Sequence, residues 1–233
     1  MIGAVVGYLI KGITHRFSDG ALAFGAGVSL GSAMLGLILP SLEYGGELGI
    51  LWTSLGIIVG AISVNLISEA VPDVQKFGFR SSAVGDKRAR RVAIFVMAIA
   101  MHNLPEGIAA GIGFGTDDIG SAVLIAIGIA LQNLPEGMVI IAPMTSVGIS
   151  PSRALLIALL TGGVEVVGTF IGYFAASVSG VVLPFMLAFA GGTMIYVVSH
   201  DMIPETHADG NANLSSYLLI LGFILMLIFY VLL

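Results

Sequence analysis

The chain contains no cysteine. Disulfides are therefore excluded, and thiolate is removed from the side chains that could hold a metal ion. Charge is scarce too: 10% of residues are Asp, Glu, Lys or Arg, against about a quarter in an ordinary soluble domain. The net charge of -5 comes from residues scattered over loops and apolar segments, a pattern that points to no nucleic-acid partner. No G-x-x-x-x-G-K-[ST] loop is present, so energy from nucleotide hydrolysis at a P-loop is excluded. H-E-x-x-H is also missing. The closest string, His200-Asp201-Met202-Ile203-Pro204-Glu205, has the wrong spacing for a zinc hydrolase helix. The first apolar run is short and no basic stretch precedes it, so no cleavable signal peptide is expected.

What is present is apolar. Hydrophobic residues make up 57% of the chain and mean hydropathy is +1.05, which places it among polytopic integral membrane proteins. Eight apolar segments are expected to be helices: 1–13, 20–40, 49–70, 91–115, 119–142, 152–176, 181–203 and 214–233. The expected fold is an all-α integral membrane protein, a bundle of eight transmembrane helices forming one domain over residues 1–233. The first segment falls short of the roughly 20 residues that cross about 30 Å of hydrocarbon. It is either a half-span or the end of a longer one. Gly27 with Gly31 and Gly56 with Gly60 stand four residues apart, a spacing that lets helices approach closely. Segment eight has no charge and is expected to face lipid.

The basic residues fall in alternate loops. Lys11 and Arg16 follow segment one, Lys76 to Arg91 lie between segments three and four, and Arg153 opens segment six. The intervening loops hold Glu43, Glu47, Asp117 and Asp118 and no basic residue. The positive-inside rule then puts the basic loops in the cytoplasm and both termini outside.

The polar residues inside the apolar segments carry the functional signal. Met101-His102-Asn103-Leu104-Pro105-Glu106-Gly107 returns thirty residues later as Leu131-Gln132-Asn133-Leu134-Pro135-Glu136-Gly137. In each copy a ligand-type side chain and a glutamate stand four residues apart, one helical turn. The proline between them removes one backbone N–H and is expected to break the helix. Glu165 lies near the middle of segment six. The expected topology brings His102, Asn103, Glu106, Gln132, Asn133, Glu136 and Glu165 to one level, the middle of the membrane. Three carboxylates there are costly without a cation. Imidazole, carboxylate and amide oxygen suit zinc, iron, cobalt or manganese, held weakly enough to be passed on. His200, Asp201, Glu205 and Glu69 fall at the inner ends of segments seven and three, where they would form the inner mouth of a path.

These motifs resemble those of the ZIP family of metal-ion transporters, in its bacterial or archaeal form. The resemblance spans essentially the whole chain. It includes HNLPEG at 102–107, QNLPEG at 132–137, TGGVE ending at Glu165 and SHDMIPETH at 199–207. It implies transport of zinc or a related divalent ion, cadmium included, toward the cytoplasm across the inner or plasma membrane, often by a homodimer. The metal is then substrate rather than cofactor, and the chain is not an enzyme. The resemblance also implies one ion held by His102, Glu106, Gln132 and Glu136. It implies a second held by Asn103, Glu106, Asn133, Glu136 and Glu165. This chain departs from many members in lacking a histidine between residues 71 and 90, and in having amides at 132 and 133 and Asp201 in the seventh segment. The alternative from another class is an intramembrane metal-dependent hydrolase, with a zinc-activated water and a glutamate base.

Overall fold

The computed structural model describes residues 2–9, 14–70, 87–115, 119–178, 182–208 and 210–232, and all regular elements among them are helical. Helix α1 is Ile2–Leu9. Helix α2 (His15–Gly31) continues through a wide π turn (Ser32–Ile38) into α3 (Leu39–Tyr44). After a 3-10 turn come α4 (Gly49–Ala70), α5 (Lys87–Phe114), α6 (Ile119–Ser146) and α7 (Pro151–Val178). Helix α8 (Leu183–Val197) passes through a second π turn (Val198–Met202) into α9 (Ile203–His207), and α10 is Ala212–Leu232. Among the described residues six helical stretches are long and apolar enough to cross a membrane: 16–44, 46–66, 122–146, 151–176, 183–207 and 212–232. This is an all-helical, multi-pass membrane protein. Helix α1 is described over eight residues, and the rest of the expected segment 1–13 lies outside the described residues. Helix α5 begins at Lys87, so the basic run 87–91 forms its first turns rather than a loop, in keeping with the good helix propensity of Lys and Arg.

Proline acts differently from expectation. Helices α5 and α6 run as continuous α-helix through Pro105 and Pro135. The missing N–H costs one hydrogen bond, but packed neighbours hold the helix together. The widening occurs instead before Pro40 and Pro204. There Leu39 N–H reaches back to the Met34 carbonyl and Ile203 N–H to the Val198 carbonyl, each five residues away. A π turn relieves the clash between a proline ring and the carbonyl of the preceding turn.

Glycine sets the helix pairs. Helix α5 packs most extensively on α7, α4 on α8, α10 on α2 and α1 on α6. At Gly60 and Gly27 a Cβ would strike the backbone carbonyls of Phe189 and Leu219, so both glycine spacings noted in the sequence are packing devices. Helix α10 turns most of its surface outward: Tyr217, Ile220, Leu221, Ile224, Ile228, Val231 and Leu232 are exposed, as a lipid-facing helix requires. One core cluster joins Leu37, Ile112, Ile125, Leu187 and Met194 of the central helices. A second joins Ala4, Ile99, Ile140, Met144 and Ala158 around α1 and α5 to α7.

Candidate metal centre

The two motif glycines bring the site together. A Cβ on Gly107 would meet the Glu165 carbonyl, so its absence lets α5 close on α7 at the level of Glu165. A Cβ on Gly137 would stand 2.7 Å from the Ala4 nitrogen, so α1 closes on α6 beside Glu136. Four helices thus converge around the polar residues. Neither glycine stands out in the sequence as a contact, although each ends its motif and faces a neighbour's backbone.

The motif side chains are deeply buried: exposure is 0% for Gln132, 2% for Glu106, 3% for Glu136 and 4% for Asn103. Asn133 and Glu165 are half-buried. The amides bridge helices rather than pairing within their own turn. Gln132 Nε2 donates to Glu106 Oε1, joining α6 to α5. Asn133 Nδ2 donates to Glu165 Oε2 at 2.8 Å, joining α6 to α7. Asn103 Nδ2 donates to the Thr161 carbonyl at 2.8 Å, joining α5 to α7. Thr161 opens the TGGVE stretch that ends at Glu165, and its part as a backbone acceptor is not visible in that string. It stands one turn before Glu165.

With the amide N–H groups so engaged, oxygens are left over. Asn103 Oδ1, Gln132 Oε1, Glu106 Oε2 and both Glu136 oxygens are buried and have no hydrogen-bond partner. They are five of the six buried side-chain polar atoms without a partner among the described residues, the sixth being Ser32 Oγ. Buried polar groups are nearly always paired, and each one left unpaired costs about 1–3 kcal/mol. All five are acceptor oxygens, the kind of atom a cation satisfies. Asn103, Asn133, Glu136, Thr161 and Glu165 also line a cavity of about 20 Å³, closed on one side by Ala4 of α1. That is room for about one water-sized occupant.

His102 lies on α5, but its side chain is outside the described residues, as is that of Glu69 at the end of α4. Among the described residues no group of three or more His, Asp or Glu side chains is close enough to hold a metal ion; Glu106 and Glu165 meet amides instead. At the expected inner mouth, the second π turn carries His200 and Asp201, the first exposed and the second half-buried. The His200 ring stacks on Tyr196 with centroids 5.1 Å apart, and Tyr196 Oη donates to Asn65 Oδ1 at 2.8 Å. Tyr196 and Asn65 thereby tie α8 to α4 at this end, a link that no motif in the sequence announces. Glu205 is exposed on α9.

A family model described as ZIP Zinc transporter matches residues 78–230. The chain is 33% identical to the zinc transporter GufA of Myxococcus xanthus, an alignment covering 97% of this chain and 91% of that protein. It is 33% identical to the zinc transporter ZIPB of Bordetella bronchiseptica, over 97% of this chain and 75% of that protein. It is 44% identical to the human zinc transporter ZIP11, over 61% of this chain but 44% of the longer human protein.

Proposed function

The chain belongs to the ZIP zinc transporter family, and on that premise we propose that it moves zinc and related divalent ions toward the cytoplasm through the polar cluster on α5, α6 and α7. The observation that carries this reading is the set of five unpaired acceptor oxygens on Asn103, Glu106, Gln132 and Glu136. An apolar bundle does not leave that many acceptors together without an occupant to satisfy them. Metal ions are the substrate in this reading, and the relatives are named as transporters rather than enzymes.

The chemistry follows from the donor set. An entering ion exchanges water for carboxylate and amide oxygens, and cross-helix hydrogen bonds already hold Asn103, Glu106, Gln132, Asn133 and Glu165 in place, so little reorganisation opposes binding. With no thiolate in the chain, the ion is held less tightly than at a structural zinc site and can leave. We read the site as binuclear, at the middle of the membrane. Adjacent helix residues point about 100° apart, so His102 and Asn103 on α5, like Gln132 and Asn133 on α6, serve different ions. Glu106 and Glu136 bridge the two, and Glu165 with Asn133 serves only the second. Three carboxylates against two divalent ions leave a small positive excess, which a metal-bound hydroxide removes. Ions leave past His200 and Asp201, with Glu205 and Glu69 as further acidic groups at the inner mouth. Metal stoichiometry of the purified protein is the test. Elemental analysis is expected to give two ions per wild-type chain and one in Glu165→Ala. One ion in wild type, undisturbed by Glu165→Ala, would contradict the binuclear reading.

Placement belongs to the same proposal: one transporter domain, α1 completing an eight-helix arrangement with α5, both termini outside the inner membrane, and assembly as a homodimer. The one-sided distribution of Lys and Arg supports the orientation. Because the chain has no cysteine, single cysteines at Ser82 and Thr116 report on it without background. A membrane-impermeant thiol reagent on intact cells should label position 116 and spare position 82. The reverse pattern overturns the orientation.

A further inference from the structure

An apolar groove of about 700 Å³ opens on the outside of the bundle between α2, α6 and α10. Its size falls in the about 300–1,000 Å³ range of small-molecule sites. Its walls are aromatic and aliphatic, among them Phe24 of α2, Leu134 of α6 and Leu218 of α10, and Ala21 leaves room at its floor. The groove is reached from outside, since Leu134 is 42% exposed. Among the described residues the polar side chains that line it are Arg16 and Thr14, both at the start of α2. Thr14 caps that helix, its Oγ1 accepting from Phe17 N at 3.2 Å. Arg16 is exposed.

We propose that this groove binds an anionic glycerophospholipid, with an acyl chain along α2 and its phosphate on Arg16. The geometry is that of an amphiphile lying along one leaflet. Arg16 begins the membrane-crossing stretch 16–44, the level at which headgroups lie. From Arg16 to Phe24 the helix rises about 12 Å, close to the roughly 15 Å of one hydrocarbon leaflet. The charge sits at the interface end and the apolar walls extend inward, as a phospholipid demands. A second copy of the chain fits less well, because it would have to bring an acid to Arg16 and a narrow apolar ridge to the groove together. Leu134 lies in the motif turn that carries Glu136, so a bound chain packs on the back of the polar cluster. Lipid binding here rests on the membrane placement of α2 and is separate from transport.

The test is native mass spectrometry of the full chain, delipidated in a neutral detergent without added metal. It is titrated with phosphatidylglycerol and with phosphatidylcholine of identical acyl chains. Phosphatidylglycerol is expected to bind about fivefold more tightly, the weight of one basic side chain beside an anionic headgroup. Arg16→Gln should abolish that preference, lowering the affinity for phosphatidylglycerol to that for phosphatidylcholine. Ala21→Trp, which fills the groove, should remove the adducts of both lipids. Should Ala21→Trp fail to fold, Leu218→Trp fills the groove from α10 with the same expected loss. Equal affinity for the two lipids in wild type, a preference that survives Arg16→Gln, or adducts that survive groove filling each overturn the proposal. So does a dimer that forms in place of lipid adducts and is lost in Arg16→Gln. Because no metal is present, none of these outcomes bears on the transport reading.

Discussion

Zinc binding is expected to vanish in the Glu106→Ala, Glu136→Ala double variant, while the metal-free protein melts at or above the wild-type temperature. Both carboxylates are buried, and three of their four oxygens have no hydrogen-bond partner. Removing them deletes three unsatisfied acceptors. It leaves one new orphan, the Gln132 Nε2 that donates to Glu106. At about 1–3 kcal/mol for each unpaired group, the balance favours the variant when no ion is present. With zinc the order reverses. An ion at a hundred times its dissociation constant stabilises wild type by about 2.7 kcal/mol, and the variant has nothing to bind it. Thermal melts with chelator and with excess zinc, alongside calorimetry, separate a cation site from a packing role. If the glutamates were packing elements, the variant would lose stability in chelator. As parts of a cation site, they cost stability there and return it only with metal.

A second large effect is expected from one methyl group at Gly107. The Cβ of Gly107→Ala would meet the Glu165 carbonyl on α7. Backbone cannot swing aside as a side chain can, so α5 and α7 must part. Overpacking of this kind costs about 1–3 kcal/mol. The displacement falls on the helix pair that carries Asn103 with Thr161 and positions Glu165 for Asn133. Transport should therefore be lost even in the fraction that folds. Gly163→Ala is the control, because its Cβ would meet nothing within 4 Å. Alanine is the better helix former by about 1 kcal/mol, so Gly163→Ala should be neutral or stabilising. Denaturation midpoints of the two variants, measured side by side, should move in opposite directions or differ by several degrees. Equal midpoints would mean that α5 and α7 do not need the close approach at Gly107.

Much of the site is legible in the amino-acid sequence. The paired motifs, the single glutamate in segment six and the absence of thiolate restrict the chemistry to oxygen and imidazole ligands. The glycine spacings at 27/31 and 56/60 mark helix contacts that the fold contains. Other features are hidden there for identifiable reasons. A ligand and a glutamate at helical spacing suggest a pair within one turn, yet Gln132 reaches Glu106 and Asn133 reaches Glu165 on neighbouring helices. Sequence spacing reports which residues share a face, not which helix that face meets. Proline in a helix suggests a break, but whether it breaks depends on tertiary packing. Pro105 and Pro135 are absorbed, and Pro40 and Pro204 follow π turns. Helix α1 reads as an incomplete span. Its contribution, Ala4 against the cavity and Gly3 against α6, is invisible in a short string without a charged residue.

Uptake into proteoliposomes with an entrapped zinc indicator tests most directly whether zinc crosses through the cluster on α5, α6 and α7. A zinc gradient should raise the internal signal with wild-type protein. The Glu106→Ala, Glu136→Ala variant, reconstituted to the same density, should leave it at the level of protein-free vesicles. Uptake by the double variant at the wild-type rate would mean that zinc takes another route.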